Sequence, residues 1–196
     1  LGNIDKKVIK KWYLGIIAGS LLGSFLASKI NGEILIIIFI TLAFIISLNM
    51  FFHQKIIILK NDIPNSPLIN FFISGTIGFL SVLIGIGGGS FSVPILSIFS
   101  KKMHQAVGTS AFLGFFIALP GAISYIFLGL NVQGLPPYSI GFVNILILFL
   151  VVSTSIFTAN IGAKLSSKIH KDILKKIFAI FLLCTCVSLA IEHFII

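Results

Sequence analysis

From Ile34 to Phe52 the chain runs nineteen residues without a charged side chain, and comparable apolar stretches recur along most of its length. About 20 apolar residues in a helix cross the hydrocarbon layer of a bilayer. Such stretches fall at 12–30, 34–52, 68–99, 105–129, 139–163 and 172–195, each flanked by charge or turn residues. With 57% hydrophobic and 10% charged residues among 196, the chain has more apolar surface than a soluble domain of that size can hide. It reads as a polytopic membrane protein whose first partner is the lipid bilayer. The net charge of +9 would suggest nucleic acid in a soluble protein. Here the lysines lie in short loops between spans, so membrane topology accounts for them and no nucleic-acid partner is expected.

The chain opens on Leu1 and lacks the charged start, short apolar core and small-residue cleavage site of a signal peptide. A fragment of a longer protein is therefore expected. Cys184 and Cys186 sit two apart in an apolar span and point to different helix faces, which suits core filling better than a disulfide or a metal.

The sequence repeats itself. "GSFLASKINGEILIIIF" at 23–39 aligns without gaps on "GAKLSSKIHKDILKKIF" at 162–178, with nine of seventeen positions identical at an offset of 139. Gly2 in "LGNID" likewise falls on Gly141 in "IGFVN". A partner for the glycine-rich stretch at 85–89 would then precede Leu1, so the natural protein is expected to be longer by roughly 70 residues. The domain reading is 1–52 as the end of a first repeat, 53–67 as the inter-repeat loop, and 68–196 as the second repeat.

Lysine positions test the topology, since all fourteen basic residues are lysine. If 68–99 crosses once, they split eight against six. If that segment dips in and returns, 5–11, 53–67, 100–104 and 164–176 share one side, with thirteen lysines against Lys29 alone. The positive-inside rule selects the second arrangement, which gives each repeat three full crossings and opposite orientation. Residues 130–138, "LNVQGLPPY", carry no charge and would face outside. The fold class is all-α: a polytopic membrane helix bundle of two inverted repeats with broken, re-entrant helices.

The break itself is "GIGGGSFSVP" at 85–94. Backbone left open at membrane depth must line a buried polar cavity, because unpaired amides in lipid cost several kcal/mol each. A half-helix starting near Ser90–Pro94 would turn free amides and a positive dipole end toward an anion. There is no arginine and no lysine in mid-span, so amides and hydroxyls are the donors that remain. Gly108, Thr109 and Ser110 in "HQAVGTS" would add a second helix start facing the first. Against this stands plain packing, since small residues let membrane helices approach closely. Packing is the better account of the stripe Gly15, Gly19, Gly23 and Ala27, whose repeat partners are Thr154, Thr158, Gly162 and Ser166. Asn160 and Tyr125 are further cavity-lining candidates. Asn160 suits interhelical hydrogen bonding equally well, and Tyr125 an interfacial belt. His53, His104 and His170 fall in loops, and no carboxylate lies in mid-membrane to relay protons. "GIGGGS" fails both the dinucleotide and the P-loop patterns. Paired carboxylates, metal-ligand spacing and a base near Ser110 are all missing, so neither an enzyme nor a cofactor is expected.

"GIGGGSFSVPIL", then "HQAVGTSAFLGFFIALPGAISYIFLG", "GFVN" and "GAKLSSKI", resemble the sulfite exporter TauE/SafE family of membrane permeases. The likeness covers essentially the whole chain, aligned after that family's first two membrane segments. It implies export of small sulfur-containing anions, such as sulfite or organosulfonates, across a bacterial inner membrane, by two related four-segment halves. By position, Gly87, Gly88, Gly89, Val93 and Pro94 match its first signature, with Ser90 between them; Gly108, Thr109 and Ser110 match its second. The departure is the family's first half, with its own copy of both signatures. A membrane-embedded structural or assembly subunit, its glycines serving only packing, is the alternative reading, and a homo-oligomer is left open.

Overall fold

The computed structural model describes residues 4–52, 62–85, 88–99, 103–168 and 171–194. Among them the chain forms seven helices: α1 (Lys6–Lys29), α2 (Gly32–Phe52), α3 (Pro67–Ile84), α4 (Gly89–Ile98), α5 (Met103–Gly129), α6 (Ile145–Lys168) and α7 (Lys171–Phe194). A short antiparallel ladder, β1 (Ser139–Ile140) with β2 (Val143–Asn144), precedes α6. Contacts divide the chain into two compact units, Leu1–Leu35 with Lys55–Tyr125, and Ile36–Gln54 with Ile126–Ile196. Gly87 and most of the inter-repeat loop lie outside the described residues, as do the side chains of Gly89, Ser90, Pro94 and Asn160.

In the first unit the starts of α1 and α3 have local causes. The Asp5 carboxylate accepts from the amides of Lys7 (3.0 Å) and Val8 (3.3 Å) and caps α1. Ser66 caps α3, and Pro67 occupies its first position, where a missing N–H costs nothing. α3 stops at Gly85, whose φ of 70° is left-handed and whose amide donates to the Ser81 carbonyl at 3.0 Å.

α1 and α3 pack backbone to backbone through the glycine stripe. A Cβ on Gly15 would come within 2.6 Å of the Phe71 carbonyl oxygen, and one on Gly23 within 2.7 Å of that of Phe79. At the end where both helices begin, Trp12 Nε1 donates to Asn70 Oδ1 (2.9 Å) and the Asn70 amide donates to Pro64 O (2.6 Å) and Ser66 O (2.8 Å). A buried side-chain amide is thereby satisfied. Contact positions rise together along the two helices, so α1 and α3 are parallel.

The same holds for α1 and α5. Asp5 N donates to Thr109 Oγ1 (2.9 Å), the Tyr13 and Phe116 rings lie 6.2 Å apart, and the Ser24 and Ser124 hydroxyls bond at 2.6 Å. α1, α3 and α5 therefore start at one end of the unit. Gly88 sits against Gly114, eleven residues or about 16 Å along α5 from Met103. From Ile98 to Met103 the chain can span at most about 17 Å. Had the ten residues of α4 continued in the direction of α3, its end would lie about 31 Å from Met103. α4 must therefore carry the chain back toward the end where α3 began, antiparallel to α5.

α5 is apolar on both faces. Ala106, Leu113 and Ile117 are buried against the core of Trp12, Ile16, Ile77 and Leu96, while Phe112, Phe115, Leu119 and Phe127 are exposed on the other side. A helix hydrophobic all round sits either in the core of a large protein or in a membrane. By length and composition Gln105–Gly129 is, among the described residues, the helix able to cross a bilayer; shorter apolar stretches occur in α2, α3, α6 and α7.

In the second unit, α6 begins at Ile145 rather than at 139. The reason is Asn144, whose Oδ1 accepts from Ile147 N (3.0 Å) while its Nδ2 donates to Pro137 O (2.9 Å). The hairpin ahead of it turns at Gly141 (φ 58°), pressed on the last turn of α5 at Ile126 and Gly129. The Cys186 thiol reaches the Ile40 carbonyl, joining α7 to α2 at 3.7 Å. The 139-residue offset recurs in the elements: Lys6 and Lys29 bound α1 as Ile145 and Lys168 bound α6, and Gly32 and Lys171 open the next helices. Even the caps correspond, Asp5 with Asn144.

Candidate functional site

The break in the 68–99 segment is real, but it starts a helix earlier than expected. Ser92 N donates to Gly88 O at 2.9 Å, which makes Gly88 the cap and Gly89 the first residue of α4. The ladder leaves the amides of the first helical residues without an intrahelical acceptor. Pro94 consequently lies in the second turn rather than the first, where its lacking N–H withholds a ladder bond from the Ser90 carbonyl. The α4 N-terminus thus offers donors at Gly89 and Ser90 and a carbonyl close behind them. Because Gly88 faces Gly114, near the midpoint of the 27-residue α5, this open backbone lies halfway along a membrane-length helix.

Gly88 is also a packing residue. A Cβ there would meet Ile117 Cδ1 at 2.7 Å and the Gly114 Cα at 3.2 Å. Val93 is half-buried against the core. Gly108, Thr109 and Ser110 do not open α5. The helix begins at Met103, so their amides belong to its ladder and only hydroxyls are on offer. Thr109 Oγ1 accepts the Asp5 amide, tying the start of α1 to α5. Ser110 is 1% exposed and its hydroxyl has no partner among the described residues. The Tyr125 hydroxyl meets the Val82 carbonyl at 3.4 Å, bracing the last turn of α3 just before the break. Asn160 belongs to α6 in the second unit.

The structure adds two serines. Ser81 in the last turn of α3 and Ser92 in the first turn of α4 are buried and, among the described residues, unpartnered, like Ser110. Ser92 lies four residues after Gly88, and that spacing from the glycine was the signal available in "GGSFSVP". Among the described residues no three His, Cys, Asp or Glu side chains form a metal-binding group. The donors assembled at the break are neutral. A helix N-terminus there carries about half a unit of positive partial charge.

A helical chain with exposed apolar faces and a helix long enough to cross a bilayer has the character of a membrane protein. The family model described as sulfite exporter TauE/SafE matches residues 1–189, and the chain belongs to that family. A probable membrane transporter protein of Haemophilus influenzae is 35% identical over 59% of this chain and 44% of its own length. One of Methanocaldococcus jannaschii is 37% identical over 50% of this chain and 36% of its own. A third, from Bacillus subtilis, is 26% identical over 92% and 68% respectively. The chain thus spans less than half the length of the first two. No solved structure matches significantly.

Proposed function

We propose that the protein is a multi-pass secondary transporter that exports small sulfur-containing oxyanions, such as sulfite or organosulfonates, across the bacterial inner membrane. The observation that carries this reading is the α4 N-terminus, set against the middle of α5 with buried hydroxyls beside it. An anion held there would be reached from each side in turn as inverted halves rock about it. The antiparallel course of α4 supports a segment that enters the bilayer at 68 and leaves by the same face, with the lysine-rich loops cytoplasmic.

Saturable uptake of sulfite into proteoliposomes, above that of protein-free vesicles, is the expected result. No flux of sulfite, sulfoacetate or thiosulfate would refute the reading. Cysteines replacing Lys60 and Lys101, with Cys184 and Cys186 changed to Ala, should label from one face. Labelling from opposite faces would remove the re-entrant hairpin.

The Gly88–Gly114 contact favours a second reading, a membrane-embedded assembly subunit whose glycines only pack. On that reading Gly88→Ala lowers yield and stability, and trimming Ile117 to Val restores both. On the transport reading the repacked double variant regains stability while its flux stays impaired.

A further inference from the structure

α4 and α5 run antiparallel from the point where Gly88 meets Gly114. One turn forward on α4 is Ser92, and one turn backward on α5 is Ser110; the next pair is Leu96 and Ala106. Each step is four residues, about 6 Å, on both helices. Ser92 and Ser110 are therefore level on facing stripes. The flanking positions agree, since Leu96 and Ala106 are both fully buried. Ser92 is 0% and Ser110 1% exposed, and neither hydroxyl has a hydrogen-bond partner among the described residues.

Serine in a helix readily bonds back to its own carbonyls, and Ser20, Ser28, Ser74 and Ser153 of this chain do so. Leaving a buried hydroxyl unpaired is costly, and alanine would fit the same space at lower cost. Two such hydroxyls at one level, beside the amides of a helix start, make sense if an acceptor reaches them in another conformation. We infer that Ser92 is a binding residue for the carried oxyanion and acts with Ser110 as a pair of O–H donors. This rests on the transport reading above. The pair is sealed from solvent in this conformation, as an alternating-access site must be in its occluded step. Ligand enters when α4 and α5 part. The donors suit a compact anion with two or more oxygens, each taking one hydroxyl, rather than a halide.

The test compares sulfite KM in proteoliposomes for the wild type and the Ser92→Ala, Ser92→Cys, Ser110→Ala and Ser47→Ala variants. Ser47, on α2 in the other unit, is likewise buried and without a partner among the described residues. Losing a hydrogen bond to a charged ligand should raise KM about tenfold or more in Ser92→Ala and Ser110→Ala. The thermal midpoint of each should hold or rise. Ser92→Cys, close in size with a weak donor, should fall between, and Ser47→Ala should keep the wild-type KM. A wild-type KM in both Ser92 variants, with sulfite still transported, overturns this inference alone. A wild type that moves no oxyanion overturns the transport reading beneath it.

Discussion

Gly19→Ala should destabilise the first unit, while Gly75→Ala at the same helix interface should not. A Cβ on Gly19 would lie 2.7 Å from the Gly75 carbonyl carbon and 2.9 Å from its Cα, and closer still to its oxygen. Carbon contacts settle at about 3.5–4.0 Å, so α1 and α3 would have to separate by about 1 Å. The obstacle is backbone, which cannot rotate away. Overpacking of this kind costs about 1–3 kcal/mol. A gap of that size also forfeits up to half of the dispersion energy at neighbouring contacts, here Gly15, Gly23 and Gly78. The helix-propensity gain from glycine to alanine, about 1 kcal/mol, offsets part of this and leaves a net loss of about 1–3 kcal/mol. On Gly75 a Cβ meets only the Gly15 carbonyl oxygen, at an ordinary 3.5 Å. There the propensity gain stands, and the variant should be neutral or about 0.5–1 kcal/mol more stable. Trp12, the single tryptophan, is buried on α1, so its fluorescence follows unfolding in mixed micelles titrated with SDS. Shifts of the same sign in both variants would refute the close approach of α1 to α3.

Asn70→Leu removes the acceptor of the buried Trp12 indole, which should cost about 1–3 kcal/mol and shift Trp12 emission; unchanged emission would contradict the bond. Gly85→Ala faces no steric neighbour but must adopt φ 70°. It should lose about 1–2 kcal/mol, with Gly85→Asn losing less; equal losses in a chemical unfolding series would point away from backbone strain. Asn144→Ala should cost about 1 kcal/mol and speed amide exchange at Ile147, whose N–H it caps; protection unchanged at that amide would show the cap to be idle.

The composition and spacing of residues sufficed for the class of protein and for the break after α3. Apolar length, lysine placement and glycine content are local properties, and lipid acts on them locally. The 139-residue offset was legible for the same reason, and the bounds of α1 and α6 follow it. The stripe Gly15, Gly19 and Gly23 was readable as a packing face because small residues four apart share one side of a helix. Which helix receives that stripe, and which of two facing glycines tolerates a side chain, was not readable. Those depend on the distance between backbones.

The same limit applied at the site. Gly108–Ser110 looked like a helix start from its residues, yet α5 begins at Met103 and turns them into ladder members that offer only hydroxyls. Ser92 passed unnoticed beside its glycines, since a serine in an apolar helix shows its importance only when its hydroxyl proves buried and unpaired. In α5, apolar on both faces, periodicity carries no information about direction. Only tertiary packing decides that α4 returns along it, because chain reach and helix contact, unlike hydrophobicity, are properties of residues far apart in sequence.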